Sequence, residues 1–519
     1  MEFDVLIKSG MVIDGSGAPG RAADIGINGD RIAVVDRLEG ATAGEVVDAT
    51  GKVVAPGFID VHVHSEVALA DRSNPYRYGS VLQGVTTQLA APDGFGWAPL
   101  SPDRTRELWN TTLFSHGEAD LPLNWPTVES FLAIFAGKTP ANVFPQAPHC
   151  AIRLGVMGWE ARPATDDEIE RMKPALREWM EAGATCLCLG LDYQPSAFAD
   201  TRELIELSKV AREYDGIYAA HIRYNDAGRE AAWRETMAIG RQADIPVHIS
   251  HEHVNDLTEP LLDEAERAGD LTFESYMYPA GCTHLALMLP SWGSAGGPDA
   301  IQERLKDPDA RRTLRDHLHH KLTVERGNAR VVFVGTQTGR YIGEELIEVA
   351  AREGLPVGDF ALKILEEEHP YALMVYHHGT TPEYQADSIR RTARHPKMMV
   401  ASDGMYHGQS AHPRGFGCFA RVPRLCVREM GAISLEEAVW KMSGFPAERF
   451  RIPDRGLLRA GYGADVVIFD PATVADRATW EEPRSEPVGI DRVLVNGQTV
   501  VSDGKPTGAL PGQVVRRQA

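Results

Sequence analysis

Two imidazoles, His62 and His64, stand two residues apart at the end of Ala55-Pro56-Gly57-Phe58-Ile59-Asp60-Val61-His62-Val63-His64. A turn signal followed by an apolar, β-branched run predicts a short strand, and alternate residues of a strand face the same way. Both rings therefore project together near the strand's C-terminal end, and paired neutral imidazoles suit Zn, Fe, Ni or Cu. Further candidates end other apolar runs: His221 follows Ile217–Ala220, His251 follows Pro246–Ser250, and Asp403 follows Met398–Ser402. His248 and His253 lie so close to His251 that spacing leaves the choice among the three open. A divalent ion held by such groups acidifies a bound water and polarises a carbonyl. A carboxylate in the position of Asp403 can take that water's proton and hand it to a leaving amine. No Gly-x-Ser-x-Gly elbow occurs in a strand-to-helix setting, which weighs against a serine hydrolase.

The elements that must position these groups alternate. Between residues 57 and 460, short apolar runs alternate with helical stretches such as Asp166–Ala182, Thr201–Tyr214 and Glu230–Ala243. About eight such repeats predict an α/β fold, a (β/α)8 TIM-type barrel whose strand ends converge on one mouth. Residues 1–56 and 461–519 read instead as short strands between Ser-Gly, Gly-Ser-Gly and Asn-Gly turns. Neither piece can bury much core alone, so the two are expected to form one small composite β-sandwich domain. The polar stretch 291–328, with His317, His319 and His320, breaks the alternation and is expected to be a lid-like insertion over the mouth, its histidines on a solvated face.

Composition narrows the function class. At 519 residues and 43% hydrophobic content the chain suits a globular enzyme. A formal charge of −20, from 53 basic and 73 acidic residues, argues against nucleic acid and an anionic membrane surface as partners. No secretory leader and no apolar run long enough to span a membrane are evident. Six sparse cysteines read as reduced thiols, as expected of a cytoplasmic protein. Cys186 and Cys188 have no second pair to complete a structural zinc site.

The motif Pro-Gly-Phe-Ile-Asp-x-His-x-His, the single histidines on two middle strands and Ser402-Asp403-Gly404 resemble the amidohydrolase superfamily. Gly190-Leu191-Asp192-Tyr193-Gln194-Pro195, Ala220-His221-Ile222-Arg223 and His412-Pro413-Arg414-Gly415-Phe416-Gly417 are similar to its D-aminoacylase (N-acyl-D-amino-acid deacylase) family. That resemblance implies a metal-dependent hydrolase of N-acyl-D-amino acids or related N-acyl amines. It implies one or two Zn2+ ions, or another divalent metal, on His62, His64, His221 and His251. Asp403 would be both a metal-facing carboxylate and the general acid/base. A small-molecule substrate, with a carboxylate gripped by Arg414, follows from the same match.

Two departures stand out. Where the family carries a bridging cysteine, this chain has Asp93 in Ala91-Pro92-Asp93-Gly94. A carboxylate can bridge two divalent ions, and it also suits a turn. Asp192 is a weaker alternative bridge. Where the family carries a substrate-binding lysine, this chain has His253, a pH-dependent anchor in place of a permanent cation. In Tyr276-Met277-Tyr278, the family's substrate-facing tyrosine corresponds to Tyr278, with Tyr276 the other candidate. Two further readings follow: an amidohydrolase acting on a cyclic amide, carbamate or lactone, and a catalytically inactive metal-binding homologue. Retention of His62, His64, His221, His251 and Asp403 argues against the latter.

Overall fold

Eight apolar runs line up as parallel strands in chain order: β1 (Phe58–Asp60), β2 (Val85–Leu89), β3 (Asn142–Phe144, continued at Ala147–Pro148), β4 (Cys186–Gly190), β5 (Ile217–His221), β6 (Val247–Ile249), β7 (Leu271–Ser275) and β8 (Met398–Val400). The computed structural model describes residues 1–517 apart from 298, 328 and 369–371. Every residue of β2, β4, β5 and β7 is buried. That is why these runs are continuously apolar: helices cover one face and barrel side chains the other. The helix Asp166–Glu181 is typical of the outer ring. Thr165 and Glu168 close its N-terminus in a reciprocal capping box, and Ile169, Met172, Leu176 and Trp179 face the barrel.

The ring closes where the chemistry is. Just beyond β1 and β8, Val63–His64 pairs in parallel with Gly404–Met405. The Asp403 N–H donates to the His62 carbonyl at 2.8 Å. Asp60, fully buried, accepts the Ser402 N–H at 3.0 Å and its hydroxyl. First and last strands are thereby fixed to each other beside the HxH pair.

Strands from both chain ends share one nine-stranded sheet. Glu2–Val12 pairs with Arg21–Asn28, Thr42–Asp48 and Val53–Pro56, and Val53–Pro56 pairs antiparallel with Val466–Phe469. Ile7, Ile25, Val54, Val466 and Leu494 fill its core. The connection 470–489 reaches back to the barrel mouth. There Asp476 accepts from Tyr278 and Arg421, and the Trp480 ring lies 4.8 Å from that of His412.

The alternation breaks between β7 and β8. Residues 291–328, expected as an insertion, lie within a longer excursion, Ala280–His377. Its three strands (Ala280–His284, Leu373–His377 and Arg330–Gly335) form an antiparallel sheet. Its helices include Pro308–His320 and Val357–Glu368. Leu314, Phe333, Val349, Phe360 and Met374 form a core separate from that of the barrel. Among the described residues, no helix is long and apolar enough to cross a membrane.

Candidate metal centre

Three of the groups singled out by sequence sit on left-handed backbone just past strand ends: Asp93 at φ 54°, His251 at φ 41° and Asp403 at φ 46°. Such conformations are costly for residues with a Cβ and cluster where side chains must be aimed. The loop carrying Asp93 is pressed onto β4. A Cβ at Gly94 would lie 2.5 Å from the Cys188 carbonyl oxygen, and one at Gly190 2.5 Å from that of Asp93. Buried Glu66 holds the loop from the other side by accepting the Ala91 N–H.

Asp93 lies among four histidines. Its Oδ1 is 3.5 Å from His62 Nε2, 3.8 Å from His221 Nδ1 and 3.9 Å from His251 Nε2, and its Oδ2 is 3.6 Å from His64 Nε2. Asp403 Oδ1 is 3.4 Å from His64 Nε2 and 3.8 Å from His62 Nε2. These gaps are long for hydrogen bonds. Ligand atoms about 2.0–2.1 Å from a shared tetrahedral ion stand about 3.3–3.5 Å apart, close to the spacing here. His62–His64–Asp403 and His62–Asp93–His251 each bring one ligand atom per residue within 4.8 Å of the others. His62 Nε2 and Asp93 Oδ1 are buried without a hydrogen-bond partner among the described residues. Orphaned donors of this kind fit a divalent cation. Burial pulls the His62 imidazole down, but Asp93, Glu274 and Asp403 outweigh it and lift it to about 10. A field that draws a proton so strongly draws a metal cation too.

Two carboxylates aim the histidines. Glu274, on β7, places Oε1 2.9 Å from His62 Nδ1 and accepts the His251 N–H at 3.0 Å. With its Nδ1 so engaged, His62 presents Nε2 to the cluster, the outer-shell arrangement common to metal-binding imidazoles. Glu274 is absent from the sequence-based set, because its partners are remote in sequence. An acid inside the apolar run Leu271–Ser275 was the available signal. Asp192 stands on the far side of His221, 2.9 Å from Nε2, and accepts the Asn225 N–H at 3.0 Å. This geometry makes Asp192 an orienting partner of His221, whereas Asp93 lies among the four histidines.

The three neighbouring histidines separate clearly. His251 faces Asp93. His248 turns away to pair with Glu274 and to meet Thr272 Oγ1 at 2.8 Å. His253 lines the cavity, with Nε2 3.0 Å from the Tyr276 carbonyl, and burial pushes its pKa down. Its ring is thus already engaged by backbone, and burial disfavours its charged form.

Arg414 is buried beside Asp403, with Nη2 2.8 Å from Oδ2. Among the described residues, Nε and Nη1 have no hydrogen-bond partner. His412 positions it, accepting the Arg414 N–H on Nδ1 at 3.0 Å and bonding through Nε2 to the Ala280 carbonyl at 2.9 Å. Tyr276 lies beneath the guanidinium, Cζ 4.5 Å from the ring centre. The sequence favoured Tyr278, which also lines the cavity but whose hydroxyl donates to Asp476 at 3.4 Å. Tyr276 is the tyrosine that accompanies Arg414.

A cavity of about 430 Å3 opens on His64, Asp93, His221, His251, Asp403 and Arg414, a size suited to a small organic molecule. A second constellation, Ser196, His149 and Glu203, has serine-hydrolase-like order, with contacts of 2.7 and 3.0 Å. All three side chains are fully buried and none lines the cavity, so they brace the barrel wall.

D-aminoacylase of Alcaligenes xylosoxydans xylosoxydans is 35% identical over 535 aligned positions, covering 100% of this chain and 98% of that protein. N-acyl-D-glutamate deacylase of the same organism is 33% identical, covering 100% and 97%. The crystal structure of N-acyl-D-glutamate deacylase from Bordetella bronchiseptica, complexed with zinc and a phosphonate inhibitor that mimics the tetrahedral intermediate, superposes with a TM-score of 0.82. It is 32% identical and covers 99% of this chain and 100% of its own. The sequence profile of the Amidohydrolase family matches residues 45–501. With that match spanning the barrel and the HxH strand at its opening, the chain belongs to the amidohydrolase family.

Proposed function

We propose that the protein hydrolyses the amide bond of N-acyl-D-amino acids, with His62, His64, Asp93, His221, His251 and Asp403 holding one or two divalent ions, zinc first among them. The observation that carries this reading is the position of Arg414: a buried guanidinium, with two unpartnered nitrogens, beside the carboxylate best placed to move protons. When bound, the metal supplies an acidified water and a Lewis acid for the scissile carbonyl.

The chain's own residues do the rest. Arg414 is suited to grip the substrate carboxylate, since the planar guanidinium fork matches a carboxylate bidentately. That contact fixes the scissile amide relative to Asp403. Asp403 takes a proton from the attacking water and delivers it to the amide nitrogen as the C–N bond breaks, leaving a free amine and a carboxylic acid. Burial pushes the Asp403 carboxyl up, but Arg414, His64, His62 and His251 outweigh it and hold it below the ordinary carboxylate range. Asp403 therefore stays ionised and ready to accept at neutral pH. The preference for D-amino acids is supported by the relatives named above. The six cysteines are all free thiols, which supports a reducing compartment such as the cytoplasm.

Amine release from paired N-acyl-D- and N-acyl-L-amino acids by the zinc-loaded protein tests the proposal. Chelator-sensitive, D-selective cleavage is the expected result. Silence across acidic, apolar and basic side chains, with metal bound, would overturn it.

A further inference from the structure

We propose that an apolar recess behind Tyr193 receives the acyl group of the substrate, so that acyl chains of about four to six carbons are preferred to acetyl. The proposal rests on the deacylase reading and adds to it the chemistry of the acid released.

The main cavity continues past Tyr193 into a recess of about 60 Å3. Phe114, Asp192, Tyr193, Asn225 and Leu287 border both spaces. Beyond them the recess is walled by Phe95 and Trp159 of the barrel and by Ala286, Leu289 and Ile301 of the excursion. Tyr193 is the threshold: its ring centre lies 4.9 Å from that of His221 and 5.0 Å from that of Phe95. Phe114 stacks on His284 at 3.9 Å, their planes 10° apart, which makes a flat aromatic wall. The polar groups along these walls are engaged. Asp192 is held by His221 and the Asn225 N–H, the Trp159 ring N–H donates to Glu107 at 2.9 Å, and Gln194 donates to Ser294 at 2.8 Å. No lysine or arginine among the described residues borders the recess. A space so lined would leave a charged or hydroxylated group without partners, and it favours a hydrocarbon chain.

Position assigns the recess to the acyl side of the substrate. Arg414, Asp403 and Tyr276 border the main cavity and not the recess, and the same holds for Arg229 and Arg326. Asp403 faces His62 and His64, whereas the recess opens beside Asp192 and Tyr193, behind His221. With the substrate carboxylate on Arg414 and the scissile carbonyl among the histidines, the acyl chain continues away from Arg414 and meets Tyr193. The volume then sets the length. A recess of this size has room for about four groups as large as a water or a methylene. That matches what a butanoyl to hexanoyl group carries beyond its carbonyl.

The test measures kcat/KM of the zinc-loaded enzyme on acetyl, butanoyl, hexanoyl and decanoyl derivatives of one D-amino acid, the one whose N-acetyl derivative is cleaved fastest. The value should rise by about fourfold for each methylene that enters the recess and fall once the chain outgrows it at decanoyl. Ala197→Leu, which fills the recess, should lower the hexanoyl-to-acetyl ratio by about 10-fold. Ile301→Ala, which enlarges it, should move the optimum to a longer chain. Zinc content and melting temperature check the folding of each variant. A series that is flat or falling from acetyl to hexanoyl, or that rises unchanged through decanoyl, would overturn the proposal and leave the deacylase reading standing. So would a ratio indifferent to both variants, or a variant effect that follows the amino-acid side chain instead, read on N-acetyl-D-alanine against N-acetyl-D-norleucine. Silence on every N-acetyl-D-amino acid would overturn both.

Discussion

The barrel mouth and the excursion between β7 and β8 meet the same cavity but are built differently. At the mouth, charged groups are mutually committed: Asp403 to Arg414, Asp192 to His221, Glu274 to His62 and His248. The side chains stand at the ends of short, fully buried strands, and hydrogen bonds across the barrel seam hold them in register. The excursion has its own core and brings Arg326 to the cavity. The proposed chemistry therefore stands on hydrogen-bonded strand ends, while the excursion adds a wall of the cavity that folds around a separate set of side chains. Positions needing sub-ångström accuracy benefit from rigid elements, whereas a subsite that only chooses among substrates can lie on a separate unit.

Substitutions can sharpen or break that contrast. Asp403→Asn should reduce kcat the most, by about 10²- to 10⁴-fold, with a folded protein confirmed by circular dichroism. Asp93→Ala should come next. It removes the carboxylate that four histidines share, so metal retained after dialysis should fall, with affinity lowered beyond the ~10–100-fold of an outer-shell loss. Retained stoichiometry would mean that Asp93 only shapes its turn. Glu274→Gln should weaken metal binding by about 10- to 100-fold through loss of the charged partner of His62, read by competition with a chromophoric chelator.

Arg414→Met should lower kcat/KM by about 10- to 100-fold and should also move the pH profile. Burial alone raises the Asp403 pKa, and Arg414 is the largest influence holding it down. Without Arg414 the carboxylate protonates at higher pH, so the acid limb of kcat/KM shifts upward; an unmoved limb would assign it to another group. The mildest effect on chemistry is expected from Leu314→Ala in the excursion core. It should cost about 2–5 kcal/mol of stability there, seen as earlier proteolysis of the excursion, with metal content unchanged. Loss of metal in that variant would break the distinction between the two regions.

Much of this was legible in the residues. Continuous apolar runs betray parallel strands because both faces are buried, and His62, His64, His221 and Asp403 declare themselves by falling where such runs end. The choice among His248, His251 and His253 was not, because it depends on a left-handed turn at His251. Glu274 escaped because its role lies in contacts with His62, 212 positions away, and with the His251 backbone. Tyr276 and Tyr278 differ only in what lies beyond each hydroxyl, and Asp476 comes from the far end of the chain. Arg326 sits in a polar, helix-like stretch where nothing in the sequence marks it as a residue that lines the cavity.

The connection 470–489 gives the molecule a property of its own. Its Asp476 and Trp480 press on Tyr278 and His412, and His412 in turn sets Arg414. A fragment ending near residue 460 would retain each of the proposed metal-binding and proton-transfer side chains and yet lose the outer support of its carboxylate clamp. Nor could the terminal sheet be exchanged for another by matching strands alone, since a graft would have to bring this connection with it. The two ends of the chain are in that sense inherited together with the active site, not appended to it.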